Sequence, residues 1–201
     1  SEWDTFYGRA LPQSFTNAVA QLTNHRPANA TESVWSFTYL RGLDGRLAGR
    51  ENAADSPGPK DSGKTLPLEQ LERPEGNSQL DYIPRLAAAL KAREQESIRR
   101  SKQSVLRLHV NGKLDAIGLL GSDVYDKLLL LQSLRQRSPD VIFFTTDLDA
   151  RLAHVSQMPW SRNLIVASSF GLALHPDFQG AVPPFRDSYQ TAAFLAVQGA
   201  L

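Results

Sequence analysis

Between Leu114 and Ala167, three short apolar runs alternate with stretches of helical periodicity, and this alternation constrains the fold more than any other feature of the chain. Leu114 to Leu120 (L-D-A-I-G-L-L), Val141 to Thr145 (V-I-F-F-T) and Leu164 to Ala167 (L-I-V-A) read as strands. The second holds too many consecutive apolar residues to be exposed on either face, and the third reads as equally buried. Val124 to Arg137 reads as a helix with Leu128, Leu131 and Leu134 turned inward, and Leu148 to about Val155 as a shorter one. Apolar strands that alternate with helices predict a parallel sheet covered on both sides, with right-handed crossovers. The expected fold class is therefore α/β: a Rossmann-like three-layer domain with a mostly parallel sheet.

The flanking segments extend this pattern. Leu11 to His25 reads as an amphipathic helix with Phe15, Val19 and Leu22 at helical spacing, and Val34 to Leu40 (V-W-S-F-T-Y-L) as a strand. Asp81 to about Arg100 predicts a helix with Tyr82, Leu86, Leu90 and Ile98 on one face, and Ser188 to Leu201 a closing helix. Between them, Gly42 to Gln79 is rich in Pro, Gly and charged residues and reads as a long excursion, with a helical turn around Leu68 to Leu71. At 201 residues the chain suits a single α/β domain over 1–201 carrying that loop at 42–79.

Charge and residue usage narrow the function classes. With 22 basic and 21 acidic side chains, net charge +1, the sequence carries no electrostatic footprint for nucleic acid. Arg93, Arg99, Arg100 and Lys102 read as the solvated end of a helix. The absence of cysteine excludes a disulfide framework, a thiolate nucleophile and cysteine-ligated metal, and leaves the compartment open. No run approaches the roughly 18 apolar residues of a membrane span, so no membrane insertion within this chain is expected. The chain opens on Ser1 rather than Met and stops within an apolar helical pattern. An excised piece of a larger protein, with a partner domain or flanking membrane segment, is the expectation.

The chemistry collects at the ends of the strands. In open parallel sheets ligands sit outside the carboxyl ends of the strands. Here those ends read Gly121-Ser122-Asp123, Thr145-Thr146-Asp147 and Ser168-Ser169. Asp123 opens the following helix as an N-cap, and the same helix N-terminus offers N–H groups and partial positive charge to an anion. Ser168 and Ser169 can give hydroxyls to a ligand or satisfy the backbone as the strand ends. Asp147-Leu148-Asp149 is a D-x-D after an apolar strand, a pattern that can hold a divalent metal, though Asp147 as N-cap and Asp149 in the first turn, complementing the helix dipole, explain the pair without one. Arg151 and Arg162 are read near this edge, free to pair with a ligand carboxylate or with Asp147 or Asp149.

Two further patterns carry less. Gly58 to Thr65 (G-P-K-D-S-G-K-T) matches the letters of a phosphate loop. The polar residues before it hold no strand, and Pro67 and Pro74 leave little helix after it, so it reads as loop. His25, His109, His154 and His175 show no metal-ligand spacing, and no G-x-S-x-G elbow occurs.

One resemblance adds to this reading. Tyr39 to Gly45 (Y-L-R-G-L-D-G), Asp81-Tyr82 with its helix, Leu114 to Asp123, Pro139 to Thr146 (P-D-V-I-F-F-T-T), Asn163 to Phe170, and Pro184 to Ala200 with Tyr189 resemble the type I periplasmic-binding-protein fold of branched-chain amino-acid receptors. The phrases G-S-D-V-Y-D-K-L and T-T-D-L-D-A-R also resemble those of a distinct bacterial group. The receptors have two lobes, and this chain is long enough for one with an elaborated loop. Their ligand-clamping loops find no residue-by-residue match here. The resemblance implies a periplasmic or extracytoplasmic setting and a small-molecule binding or sensory domain without catalysis of its own. The expected ligand is small and polar, contacted by Ser122, Asp123, Thr145, Thr146, Asp147, Arg151, Ser168 and Ser169, with no cofactor. The alternatives are a divalent-metal-dependent enzyme using Asp147 and Asp149 on a nucleotide or phosphorylated substrate, and a protein–protein interaction domain docking through the 42–79 loop.

Overall fold

The structure is a computed structural model that describes residues 1–22, 33–43, 81–103 and 112–200. The excursion beyond residue 43, with its phosphate-loop-like run and the helical turn expected around 68–71, lies outside the described residues, as do His25 and His109.

The described residues form a mixed α/β arrangement around a parallel sheet of order β1-β2-β3, where β1 is Ala116–Leu119, β2 Ile142–Thr146 and β3 Ile165–Ala167. The register pairs Ile117 with Phe143 and Leu119 with Thr145 on one face, and Gly118 with Phe144 on the other, which in turn pairs with Ile165. The expected strand and helix order holds over this region. Helix α1 spans Phe6–Leu22, α2 Tyr82–Gln103, α3 Val124–Arg135, α4 Met158–Ser161, α5 Pro176–Gln179 and α6 Ser188–Ala200. In place of a helix over 148–155 there are two 3-10 turns, Ala150–Ala153 and Val155–Gln157.

Helix α3 explains the better-packed face. Its leucines at helical spacing, Leu131 at 0% and Leu134 at 3% exposure, meet Ile117, Leu119 and the fully buried Phe143. Each such side chain contributes about 1.5–3 kcal/mol through burial. Leu86 of α2 completes this core with Tyr82 and Leu90 packed at its margin, as their helical spacing predicts, and Ile83, outside that predicted face, joins it.

The opposite face corrects an expectation. Phe15 of α1 stacks on Phe144, ring centroids 5.2 Å apart, but Ile142 and Ile165 are 53% and 57% exposed. The pleat puts them on the side α3 does not cover. An unbroken apolar run therefore did not mean burial on both faces, and β3, read as a buried strand, alternates exposed and half-buried residues.

Two more boundaries differ. Helix α1 begins at Phe6 rather than Leu11, because the Thr5 hydroxyl accepts from Gly8 N at 2.9 Å and caps it there, leaving Pro12 inside the helix. The segment read as a strand over Val34 to Leu40 makes one parallel bridge, Glu2 to Tyr39. Trp3 N donates to Tyr39 O at 2.8 Å, Tyr39 N to Ser1 O at 3.0 Å, and Glu2 N to Leu120 O at 3.1 Å. The chain's first residues thus lie between Tyr39 and the end of β1, and the order across this edge runs Tyr39, Glu2, β1, β2, β3.

Candidate functional site

At the carboxyl ends of the strands, a buried carboxylate organises the first polar turn. Glu2 is 0% exposed and accepts from Ser122 Oγ at 2.8 Å, Asp123 N at 2.9 Å and Thr5 Oγ1 at 3.2 Å. A buried carboxylate is tolerated when such donors replace its hydration. Gly121 lets this happen: a Cβ there would fall 2.3 Å from Tyr39 Oη and 2.9 Å from Glu2 Oε1. Asp123 performs the expected N-cap, its Oδ1 accepting from Tyr125 N at 2.8 Å. Ser122 is exposed, but its hydroxyl is turned to Glu2.

Helix α3 buries two charged side chains directly after that cap. Asp126, 1% exposed, accepts from Gly42 N and Leu43 N at 2.8 Å each, tying α3 to the residues after Tyr39. Lys127, 3% exposed, donates from Nζ to Thr146 O at 2.8 Å. Burial pushes the Lys127 ammonium below its ordinary pKa, opposed by the carboxylates of Asp147, Glu2, Asp149 and Asp123 around it.

The end of the central strand is the most unusual backbone of the edge. Asp147 has φ 60, in the left-handed region where Asp is one of the few tolerated side chains. Three contacts fix the turn: Lys127 Nζ on the preceding carbonyl, Asp147 N on Ala167 O at 3.0 Å, and Tyr7 Oη donating to Asp147 Oδ2 at 2.6 Å. Burial first, and the Asp147 contact second, push the Tyr7 phenol up to about 12. Thr146 Oγ1 is buried and lacks a partner of good hydrogen-bond geometry, yet lies close enough to Tyr7 to oppose that rise. Thr145 differs from its expected role. It is 0% exposed, and its hydroxyl donates to Leu119 O at 2.6 Å, so it braces the sheet instead of facing the edge.

Asp149 and Asp147 are held by different partners. Asp149 is buried, caps the first 3-10 turn by accepting from Arg151 N at 2.8 Å, and meets Arg151 Nη1 at 3.3 Å. Arg151 also lies 4.8 Å over the Tyr125 ring. Among the described residues, no group of three or more His, Asp or Glu side chains is arranged to hold a metal ion. Ser168 and Ser169 are exposed; Ser168 Oγ donates to Phe170 O at 2.8 Å and accepts from Leu148 N at 3.3 Å. Arg162 belongs elsewhere: it precedes β3, and its carbonyl accepts from Arg135 at the far end of α3, which places it at the amino edge of the sheet. His154 and His175 cap short helical turns by accepting from Ser156 N and Asp177 N.

Glu2, Tyr7 and Lys127 are the residues that reading the sequence missed. A single glutamate in S-E-W-D carries no strand signal, and Tyr7 lay ahead of the helix start inferred at Leu11. Lys127, four residues after the N-cap, is the one that helical spacing could have found, since it shares the inward face with Leu131 and Leu134. No protein-family model, curated protein or solved structure matches the chain. Among the described residues no helix is long and apolar enough to cross a membrane.

Proposed function

We propose that the chain is a small-molecule binding or sensory domain whose carboxyl sheet edge takes a small polar ligand, without catalysis of its own. The observation that carries this reading is Asp147: a side chain held in the left-handed region by Lys127, Ala167 and Tyr7, with its residue exposed at the end of the central strand. Backbone strain fixed by surrounding contacts is characteristic of ligand-clamping positions. The order Tyr39, Glu2, β1, β2, β3 adds support. It reverses direction between Glu2 and β1, beside Gly121 and the N-terminus of α3, and such a reversal in a Rossmann-like layout opens a crevice for ligands.

The accessible chemistry favours a ligand rich in hydrogen-bond donors. Asp147 and Asp123 supply carboxylates, Ser168 and Ser169 supply hydroxyls, and Arg151 is already engaged by Asp149 and Tyr125. A lobe of the type I periplasmic-binding-protein kind is consistent with this layout and is part of the proposal. Thermal unfolding in the presence of amino acids, sugars and polyols tests it. A stabilising compound is expected, and Asp147→Asn, which keeps a side chain suited to the left-handed region but removes the charge, should abolish its effect. A stabilisation unchanged in Asp147→Asn would remove this edge as the site.

A further inference from the structure

The turn at Asp147 holds its backbone and its carboxylate by separate means. Lys127 Nζ donates to Thr146 O and Asp147 N to Ala167 O, and these bonds fix the main chain at the left-handed residue. Among the described residues, the carboxylate has one hydrogen-bond donor, Tyr7 Oη on Oδ2 at 2.6 Å. Tyr7 therefore sits where a ligand donor would have to sit to reach that oxygen. Beside it Thr146 Oγ1 is buried and lacks a partner of good hydrogen-bond geometry. A buried hydroxyl in that condition destabilises the arrangement that buries it.

The backbone under Tyr7 is anchored. Gly8 N donates to Thr5 Oγ1 at 2.9 Å, Thr5 Oγ1 donates to the buried Glu2, and a Cβ at Gly8 would fall 2.0 Å from Glu2 O. The half-buried Tyr7 ring is the part that can turn, about its own side-chain torsions.

We propose that Tyr7 is a gate on the carboxyl edge: a ligand bearing a cationic donor, an ammonium or guanidinium, displaces its hydroxyl from Asp147 and uncovers Thr146 Oγ1. The gate rests on the reading of this edge as the binding site. The ligand's charge follows from the exchange itself. A neutral hydroxyl arriving at Asp147 replaces only the bond it breaks, whereas a charge-assisted donor makes one roughly twice as strong. The protein's own nearby cations are engaged elsewhere, Lys127 by Thr146 O and Arg151 by Asp149 and the Tyr125 ring. The closed gate thus selects cationic donors over polyols.

Methylguanidinium chloride, titrated into the whole chain at constant ionic strength, tests this. Saturable shifts are expected at the Asp147 and Leu148 amides, with loss of the NOEs between the Tyr7 ring and Thr146. Tyr7→Phe removes the competing hydroxyl and should bind methylguanidinium about fivefold more tightly, the effect of one hydrogen bond. Glycerol at the same concentration should leave the NOEs intact. A Tyr7 that only positions Asp147 predicts the opposite sign, weaker binding in Tyr7→Phe. That result, an unchanged affinity, NOEs that survive saturation, or displacement by glycerol would each overturn the gate and leave the edge standing as a binding site. Shifts absent from Asp147 in both proteins would overturn it as well; whether the edge binds at all is decided separately, by the unfolding screen with Asp147→Asn.

Discussion

The Tyr7 hydroxyl donates to the Asp147 carboxylate across 2.6 Å, joining the first turn of α1 to the left-handed residue that ends β2. These residues are 140 positions apart in the chain. Their contact links a helix on one face of the sheet to the edge where the strands end, so the geometry of Asp147 depends on the docking of α1.

Removing that hydroxyl should loosen the turn without unfolding the protein. Tyr7→Phe is expected to cost about 1 kcal/mol in urea denaturation, the usual worth of one hydrogen bond. Its pH dependence is more specific. The folded-state pKa of Tyr7 is raised from 10 to about 12, so its contribution is full below pH 10 and is lost as pH rises through 12. The stability difference between wild type and Tyr7→Phe should therefore shrink across that window. A difference constant from pH 9 to 12 would contradict the contact.

Asp126→Asn should weaken the tie between α3 and the residues after Tyr39. Both carboxylate oxygens are in use, accepting from Gly42 N and Leu43 N. An amide turns one of those acceptors into a donor facing an N–H. A loss of about 2 kcal/mol is expected, with faster hydrogen exchange at the Gly42 and Leu43 amides.

At Gly121 the constraint is space. Gly121→Ala would drive a methyl against Tyr39 Oη and Glu2 Oε1, and should destabilise by roughly 1–3 kcal/mol in urea denaturation. A neutral outcome would mean that Glu2 and Tyr39 are not packed as described.

What was legible in the sequence is local. The leucines of α3 and the two apolar strands around it announce themselves by spacing, and Asp123 by its place before a helix. Burial on the second sheet face was not legible. Ile142 and Ile165 are as apolar as their neighbours, and only the position of a covering helix decides whether they are exposed. The polar edge was found from its strand ends, but its inner members were not. Glu2 and Tyr7 reach it through contacts more than 100 residues apart, which no periodicity encodes. The hydroxyl of Thr145 turned inward for the same reason that placed Phe143 in the core: alternate residues of β2 share a face.

The account rests most heavily on the carboxyl edge as the ligand site, and a ¹⁵N-resolved NMR titration with the compound found by thermal unfolding tests it most directly. Saturable shifts are predicted at the backbone amides of Ser122, Asp147, Leu148, Ser168 and Ser169, with the Asp147→Asn spectrum unresponsive to the same compound. Shifts that bypass these residues, or that persist undiminished in Asp147→Asn, would contradict it.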